Sequence, residues 1–115
     1  MVEDDSDIRE ALIDALQLEH WTVESAANGQ LALERLQSRP TPEVMLLDLM
    51  MPVMDGFELL DRLRGAAGPA TVVLSASREM ESVRSHPLVR ATLEKPVDLA
   101  VLLAQLQSLS EARPA

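Results

Sequence analysis

Cysteine and tyrosine are absent from this sequence of 115 residues, and Trp21 and Phe57 are the only tryptophan and phenylalanine. Without cysteine the chain forms no disulfide, has no thiolate nucleophile and offers no cysteine-based zinc site. The core must therefore be built from aliphatic side chains. No apolar run approaches the roughly 20 residues of a membrane-spanning helix, and no signal-peptide pattern opens the chain. These absences predict a soluble, cytoplasmic domain.

Positive charge is also scarce, with 10 basic against 19 acidic residues and a formal net charge of −9. An acidic surface gains no counterion-release energy from a polyanion, so neither nucleic acid nor an anionic membrane is an expected partner. If carboxylates gather in one cleft, however, their repulsion raises the affinity for a cation there. The length predicts one domain over residues 1–109, followed by a frayed tail at residues 110–115.

Strand and helix patterns alternate along the chain. Residues 44–47 and 71–74 are continuous apolar runs, typical of parallel strands covered on both faces. Weaker strands are expected at residues 1–2, 22–26 and 89–94, the first of them unusually short. Helical patterns begin near Ser6, Leu31, Phe57, Glu79 and Leu99. Five strands alternating with five helices predict an α/β fold, a doubly wound parallel sheet with the flavodoxin-like strand order 2-1-3-4-5.

Polar side chains follow four of these strands, at the point where each strand ends: Glu3 and Asp4, then Asp48, Ser75 and Lys95. In an open parallel sheet, ligands bind in the crevice beyond these ends. Clustered carboxylates suit Mg²⁺, and a carboxylate beside such an ion can attack phosphorus to give an aspartyl phosphate. Lys95 and Ser75 would then neutralise the phosphoryl oxygens.

Each of these residues has an ordinary interpretation when taken alone. Asp48 could simply end a strand, Ser75 could be a loop hydroxyl, and Lys95 could be a solvated surface charge. A shift of the short first strand by one residue would make Asp4 and Asp5 the acidic pair. His20 and His86 lie far from the site in sequence and are given no role.

Taken together and in this order, the motifs resemble the receiver domain of bacterial two-component response regulators. The resemblance covers nearly the whole chain. Its motifs are Glu3-Asp4, Asp48 followed by Met51-Pro52 and Asp55-Gly56, Ser75-Ala76, and Lys95-Pro96.

The resemblance implies that Asp48 accepts a phosphoryl group from a phosphohistidine of a sensor histidine kinase or a histidine phosphotransfer protein. It implies that Asp4 and Asp48 hold Mg²⁺ directly, together with the backbone carbonyl of Met50, and that Glu3 acts mainly through water. Ser75 would be the switch hydroxyl and Lys95 the ion-pair partner of the phosphoryl group. The Lys95-Pro96 peptide is expected to be cis, as it is in the family.

Such a domain is a signalling module and no enzyme in the ordinary sense, because it catalyses only its own phosphorylation and dephosphorylation. Its target would be a downstream protein or an attached output domain. One alternative is a pseudo-receiver, which binds partners without phosphorylation. Another is a phosphohydrolase of the haloacid-dehalogenase kind, but that chemistry needs a second Asp where this chain has Met50.

Two departures from the family pattern fall on the output side. Thr92 stands where the family usually has an aromatic residue, and the stretch between Ser75 and Lys95 is about two residues shorter than usual. The stretch also lacks the Gly-Ala pair common before the last strand. We therefore expect little inward movement of the side chain at Thr92 when the domain is phosphorylated.

Overall fold

A computed structural model describes residues 1–38, 41–51, 53–64, 68–75 and 83–111, with only the backbone of Glu111. Several sequence features lie outside the described residues: Pro40, Pro52, Gly65, Ala76, the first half of the helix expected to begin near Glu79, and the end of the tail.

The described residues form three strands and four helices. In chain order these are α1 (Ser6–Leu18), α2 (Gly29–Ser38), β1 (Val44–Asp48), α3 (Gly56–Arg62), β2 (Ala70–Ser75), β3 (Val89–Glu94) and α4 (Leu99–Glu111). The strands make a parallel sheet in the order β1-β2-β3. The predicted α/β architecture with a parallel sheet is confirmed.

The first two predicted strands appear only as isolated bridges. Val2 pairs in parallel with Ala26 on one side and with Leu47 on the other. The described residues thus contain three strands and four helices where five of each were expected, and the strand order 2-1-3-4-5 stays a prediction. The position of Val2 between Ala26 and β1 is the one that this order requires.

Helices α1 and α3 each begin at an aspartate cap. The side chain of Asp5 accepts hydrogen bonds from the backbone amides of Asp7 and Ile8, which satisfies donors that the first turn of α1 leaves free. Asp55 does the same for α3 by accepting from the amide of Glu58 at 2.9 Å. The cap of α3 also ends the loop that follows Asp48, so it helps to define the shape of that loop.

The core has two halves, one on each face of the sheet. Alternate residues of β1 and β2 point to opposite faces, as strand geometry requires. One half packs against α2 and α3 and includes Met45, Leu47, Val73, Ala32, Leu33, Leu59 and Leu60. The other packs against α1 and α4 and includes Leu46, Val72, Leu74, Leu16, Leu102 and Leu106. Helices therefore cover both faces, and this double covering explains the continuous apolar runs in β1 and β2.

The apolar face of α4 is narrower than its sequence indicates. Leu102 and Leu106 are buried, whereas Leu99 is 39% exposed. Among the described helices, none is both long enough and apolar enough to cross a membrane.

Candidate functional site

The register of the sheet brings the predicted site residues to one edge. Asp48 is the last residue of β1 and lies opposite Leu74, so the next residue of β2, Ser75, stands beside it at the carboxyl edge. The bridge between Val2 and Leu47 brings the start of the chain to the same edge. Two backbone hydrogen bonds between Val2 and β1 maintain this alignment. The Val2 amide donates to the Leu46 carbonyl at 2.8 Å, and the Val2 carbonyl accepts from the Asp48 amide at 3.0 Å.

Three carboxylates meet at this edge. Glu3, Asp4 and Asp48 each offer a carboxylate oxygen, and these oxygens all lie within 4.8 Å of one another. Glu3 is 1% exposed and Asp48 is 5% exposed, whereas Asp4 lies open to solvent. The acidic pair is therefore Glu3 and Asp4, as first predicted, because Asp5 instead caps α1.

Lys95 joins the carboxylates from β3. Its ammonium Nζ donates to Glu3 Oε1 at 2.9 Å and lies 3.4 Å from Asp48 Oδ2. Burial disfavours the charged ammonium, but the hydrogen bond to Glu3 and the charge of Asp48 outweigh it and raise the pKa of Lys95 above 10.5. Lys95 is thus a charged group of the site, and the interpretation as a solvated surface lysine is wrong.

The surroundings of Glu3 raise its pKa. Burial and the neighbouring carboxylate of Asp48 raise the pKa of Glu3 from 4.5 to about 7, although Lys95 opposes this shift. Its second oxygen, Oε2, is buried and has no hydrogen-bond partner among the described residues. A buried carboxylate oxygen left without a donor costs free energy unless a proton or a cation satisfies it.

The donor set fits Mg²⁺. It consists of hard carboxylate oxygens, one of them buried without a partner, and Asp4 is open towards solvent for the waters that this ion keeps. The chain folds back over Asp48, with the Met50 amide 3.3 Å from Asp48 Oδ1, while the Met50 side chain is 59% exposed. The backbone of Met50 thus lies beside the Asp48 carboxylate, and its side chain is exposed.

Ser75 and Lys95 are connected through their backbones. Ser75 is 1% exposed, and its carbonyl accepts a hydrogen bond from the amide of Lys95 at 2.9 Å. The Lys95-Pro96 peptide bond is cis, as predicted. Thr92 is half-buried in β3 and lies opposite Val73 of β2.

Arg9 was missed by the sequence analysis. Its guanidinium Nη1 donates to the backbone carbonyl of Glu3 at 2.8 Å, so α1 contacts the acidic edge directly. The sequence did contain a hint, because a cation near the start of a helix opposes the helix dipole and therefore needs another reason to be there.

His86 was given no role, yet it is buried. Its Nε2 lies 2.8 Å from the Leu60 carbonyl, and its Nδ1 accepts from the Leu88 amide at 3.1 Å. These contacts join α3 to the start of β3. They show a structural histidine, away from the acidic cluster.

A family model described as the response regulator receiver domain matches residues 1–107 of the chain. The chain belongs to this family. The response regulator MprA of Mycobacterium ulcerans is 35% identical over 112 residues, which are 95% of this receiver domain and 48% of that relative. The receiver domain thus spans about half the length of the curated relatives that it matches.

Solved receiver structures agree with this assignment. A Francisella response regulator receiver domain superposes with a TM-score of 0.84 at 27% identity, covering 96% of this chain and 93% of that one. The response regulator TrrA of Thermotoga maritima, in complex with Mg²⁺ and beryllofluoride, superposes with a TM-score of 0.80 at 27% identity and covers 94% of both chains. The resemblance stated from the motifs is confirmed for the receiver domain as a whole.

Proposed function

We propose that this receiver domain takes a phosphoryl group from a phosphohistidine onto Asp48, with Mg²⁺ bound by the acidic cluster, and thereby switches the binding of a downstream partner. The observation that carries the proposal is the joint position of Glu3, Asp4, Asp48 and Lys95 at one edge of the sheet. The relative from Thermotoga maritima, which holds Mg²⁺ and beryllofluoride, adds support.

The transfer makes one bond and breaks one. A carboxylate oxygen of Asp48 attacks the phosphorus, an O–P bond forms, and the N–P bond to the donor imidazole breaks. The imidazole leaves with the electron pair of that bond and regains its neutral form by taking up a proton from water. Hydrolysis of the aspartyl phosphate by water then returns the carboxylate and inorganic phosphate.

The other residues of the site would stabilise the negative charge of the phosphoryl group. Asp4 and Asp48, with the backbone carbonyl of Met50, would hold Mg²⁺, which offsets the charge of the phosphoryl oxygens. Glu3 would act mainly through water. Lys95 would leave its contact with Glu3 to pair with the phosphoryl group, and the hydroxyl of Ser75 would close onto it.

Partner switching follows from the added charge. A phosphoryl group brings about −1.5 to −2 charges and three strong acceptors, which is enough to bias a loop between two conformations. The donor would be a sensor histidine kinase or a histidine phosphotransfer protein. The target would be a separate protein or an output domain attached to the receiver. The receiver domain itself would bind neither nucleic acid nor a membrane. A cytoplasmic location suits this function.

The test is intact mass after incubation with Mg²⁺ and acetyl phosphate. We expect one phosphoryl increment on the parent chain and none on Asp48→Asn. Asp61→Asn, which changes an exposed aspartate in α3, is the matched control and should be phosphorylated like the parent. Chelation of Mg²⁺ should abolish the increment in every chain.

A folded parent chain that gains no phosphoryl group would contradict the proposal. The pseudo-receiver would then be the better description, with the partner bound independently of phosphorylation. An increment that persists in Asp48→Asn would instead place the acceptor at a different residue.

A further inference from the structure

We propose that Arg9 is a positioning residue for the Mg²⁺ site: by holding the backbone carbonyl of Glu3, it fixes the direction in which Asp4 presents its carboxylate. This inference rests on the proposed function, since it concerns the same site. Neither the motifs nor the position of Arg9 one turn into α1 assigns it this role.

The first step of the argument is that Glu3 is held at three points. Its amide donates to the Ala26 carbonyl at 3.1 Å, its carbonyl accepts from Arg9 at 2.8 Å, and its side chain accepts from Lys95 at 2.9 Å. The contact with Ala26 fixes the Glu3 amide, and the contact with Lys95 fixes the buried carboxylate of Glu3. The contact with Arg9 is the one on the peptide that leads into Asp4.

The second step is that few other contacts orient this peptide. The first strand pairs with its neighbours through isolated bridges at Val2, so no regular strand extends through Glu3 and Asp4. The next anchored point along the chain is Asp5, the cap of α1. Asp4 is exposed and lies between these two points. The carbonyl held by Arg9 is thus the nearest fixed group to Asp4 on its amino-terminal side.

The third step is that the charge of Arg9 and its hydrogen bond to the Glu3 carbonyl predict opposite changes in Mg²⁺ affinity when Arg9 is removed. A guanidinium at this acidic edge repels a divalent cation, so the removal of its charge alone would tighten Mg²⁺ binding. If Arg9 acts by holding the Glu3 carbonyl, its removal instead weakens binding, because Asp4 loses its orientation. Partners of this kind change metal affinity by about 10-fold or more when they are removed.

The experiment is an NMR titration of the ¹⁵N-labelled chain with MgCl₂, following the backbone amides of Asp4 and Met50. We expect Arg9→Met to weaken Mg²⁺ binding by about 10-fold. Arg9→Lys, which keeps a donor and the charge, should recover most of the affinity. Arg62→Met, which removes an exposed arginine paired with Glu58 in α3, should bind like the parent. If Arg9→Met does not fold, Arg9→Gln provides the same comparison.

The initial rate of phosphorylation by acetyl phosphate gives a second readout. In Arg9→Met the curve of rate against Mg²⁺ concentration should shift to higher concentration and reach a maximum near that of the parent. A merely structural role would lower thermal stability without this shift.

Unchanged or tighter Mg²⁺ binding in Arg9→Met would overturn the inference and leave Arg9 as a charge only. A parent that binds Mg²⁺ but gains no phosphoryl group would contradict the proposed function alone, since the titration would still decide the role of Arg9. A folded parent that binds no Mg²⁺ would overturn both.

Discussion

Lys95 lies closer to Glu3 than to Asp48: its Nζ is 2.9 Å from Glu3 Oε1 and 3.4 Å from Asp48 Oδ2. The ammonium therefore occupies the space between two buried carboxylates, where it lowers the negative charge that attracts a cation. Under the proposed function, the same ammonium would pair with an incoming phosphoryl group. Lys95 would therefore weaken the binding of Mg²⁺ and stabilise a phosphoryl group at the same site.

Substitution of Lys95→Met separates these effects. Mg²⁺ should bind more tightly because a competing cation is gone, and phosphorylation at saturating Mg²⁺ should be slower because the phosphoryl oxygens lose a charged partner. Without Mg²⁺ at pH 8, the chain should lose roughly 3 kcal/mol of stability, since Glu3 and Asp48 lose their buried counter-charge. Mg²⁺ titration, phosphorylation rates and urea unfolding measure the three quantities.

Arg90→Met is the matched control for Lys95→Met, because Arg90 is an exposed cation in β3, the strand that leads to Lys95. It should leave all three quantities near the parent values. Weaker Mg²⁺ binding in Lys95→Met would show that the lysine orders the carboxylates more than it repels the ion.

The stability of the metal-free chain should depend on pH through Glu3. Burial raises the pKa of Glu3 from 4.5 to about 7 in the folded chain, so between these values the folded state binds more protons than the unfolded state. The contribution of Glu3 to the free energy of unfolding is fully present below pH 4.5 and is lost as the pH rises through 7. Urea unfolding at several pH values, with chelator, should show this fall.

Glu3→Gln removes the titrating group and should flatten the pH profile between pH 4.5 and 7. Glu10→Gln in α1 is the control, and its profile should follow that of the parent. A profile of Glu3→Gln that falls as steeply as the parent would assign the pH dependence to another group.

Gly56 supports the backbone of Asp48 by close approach. A Cβ at Gly56 would lie 2.7 Å from the Asp48 carbonyl oxygen and 2.8 Å from the Leu49 Cα, both of them backbone atoms. Gly56→Ala should therefore displace the end of β1, destabilise the chain by about 1–3 kcal/mol and slow phosphorylation. Urea unfolding and intact mass against time would measure these effects.

Gly68→Ala is the matched control for Gly56→Ala. A Cβ at Gly68 would approach the Leu88 side chain at 2.8 Å, and a flexible leucine end can move away. We expect a smaller stability change than for Gly56→Ala and an unchanged phosphorylation rate. Equal effects of the two substitutions would mean that the contact with the Asp48 backbone has no special importance.

Val53 carries backbone strain in the loop after Asp48. Its φ of 68° lies in the left-handed region, which is costly for a β-branched residue, and its side chain is 81% exposed. Val53→Gly should stabilise the chain by about 0.5–1 kcal/mol, because relief of strain exceeds the entropic cost of glycine. In the control Val101→Gly, an exposed helical position, the chain should lose about 0.5 kcal/mol. If thermal unfolding shows that Val53→Gly and Val101→Gly are both less stable than the parent, the backbone at Val53 is not strained.

Thr92 should move little when the site is occupied. It is half-buried in β3 and has no ring to swing inward. Structures with and without Mg²⁺ and beryllofluoride should show the same side-chain position at Thr92, while the hydroxyl of Ser75 and the ammonium of Lys95 move. A large rearrangement of Thr92 would contradict this expectation.

The sequence by itself determined the composition of the site and the class of fold. Continuous apolar runs in β1 and β2 predicted buried parallel strands, because only a strand covered on both faces is apolar at every position. Asp48 and Lys95 could be found because each follows a strand, and the carboxyl ends of parallel strands share one edge. These inferences need only local pattern and one rule of topology.

Tertiary structure alone decided which groups touch. The burial of Glu3 and its contact with Lys95 join residues 92 positions apart, and a distance of that kind is not encoded in any local pattern. The hydrogen bond from Arg9 to the Glu3 carbonyl depends on where α1 leaves the sheet. The shortness of the first strand was visible in the sequence, but its consequence was not: a single bridging residue, Val2, aligns the acidic pair with Asp48.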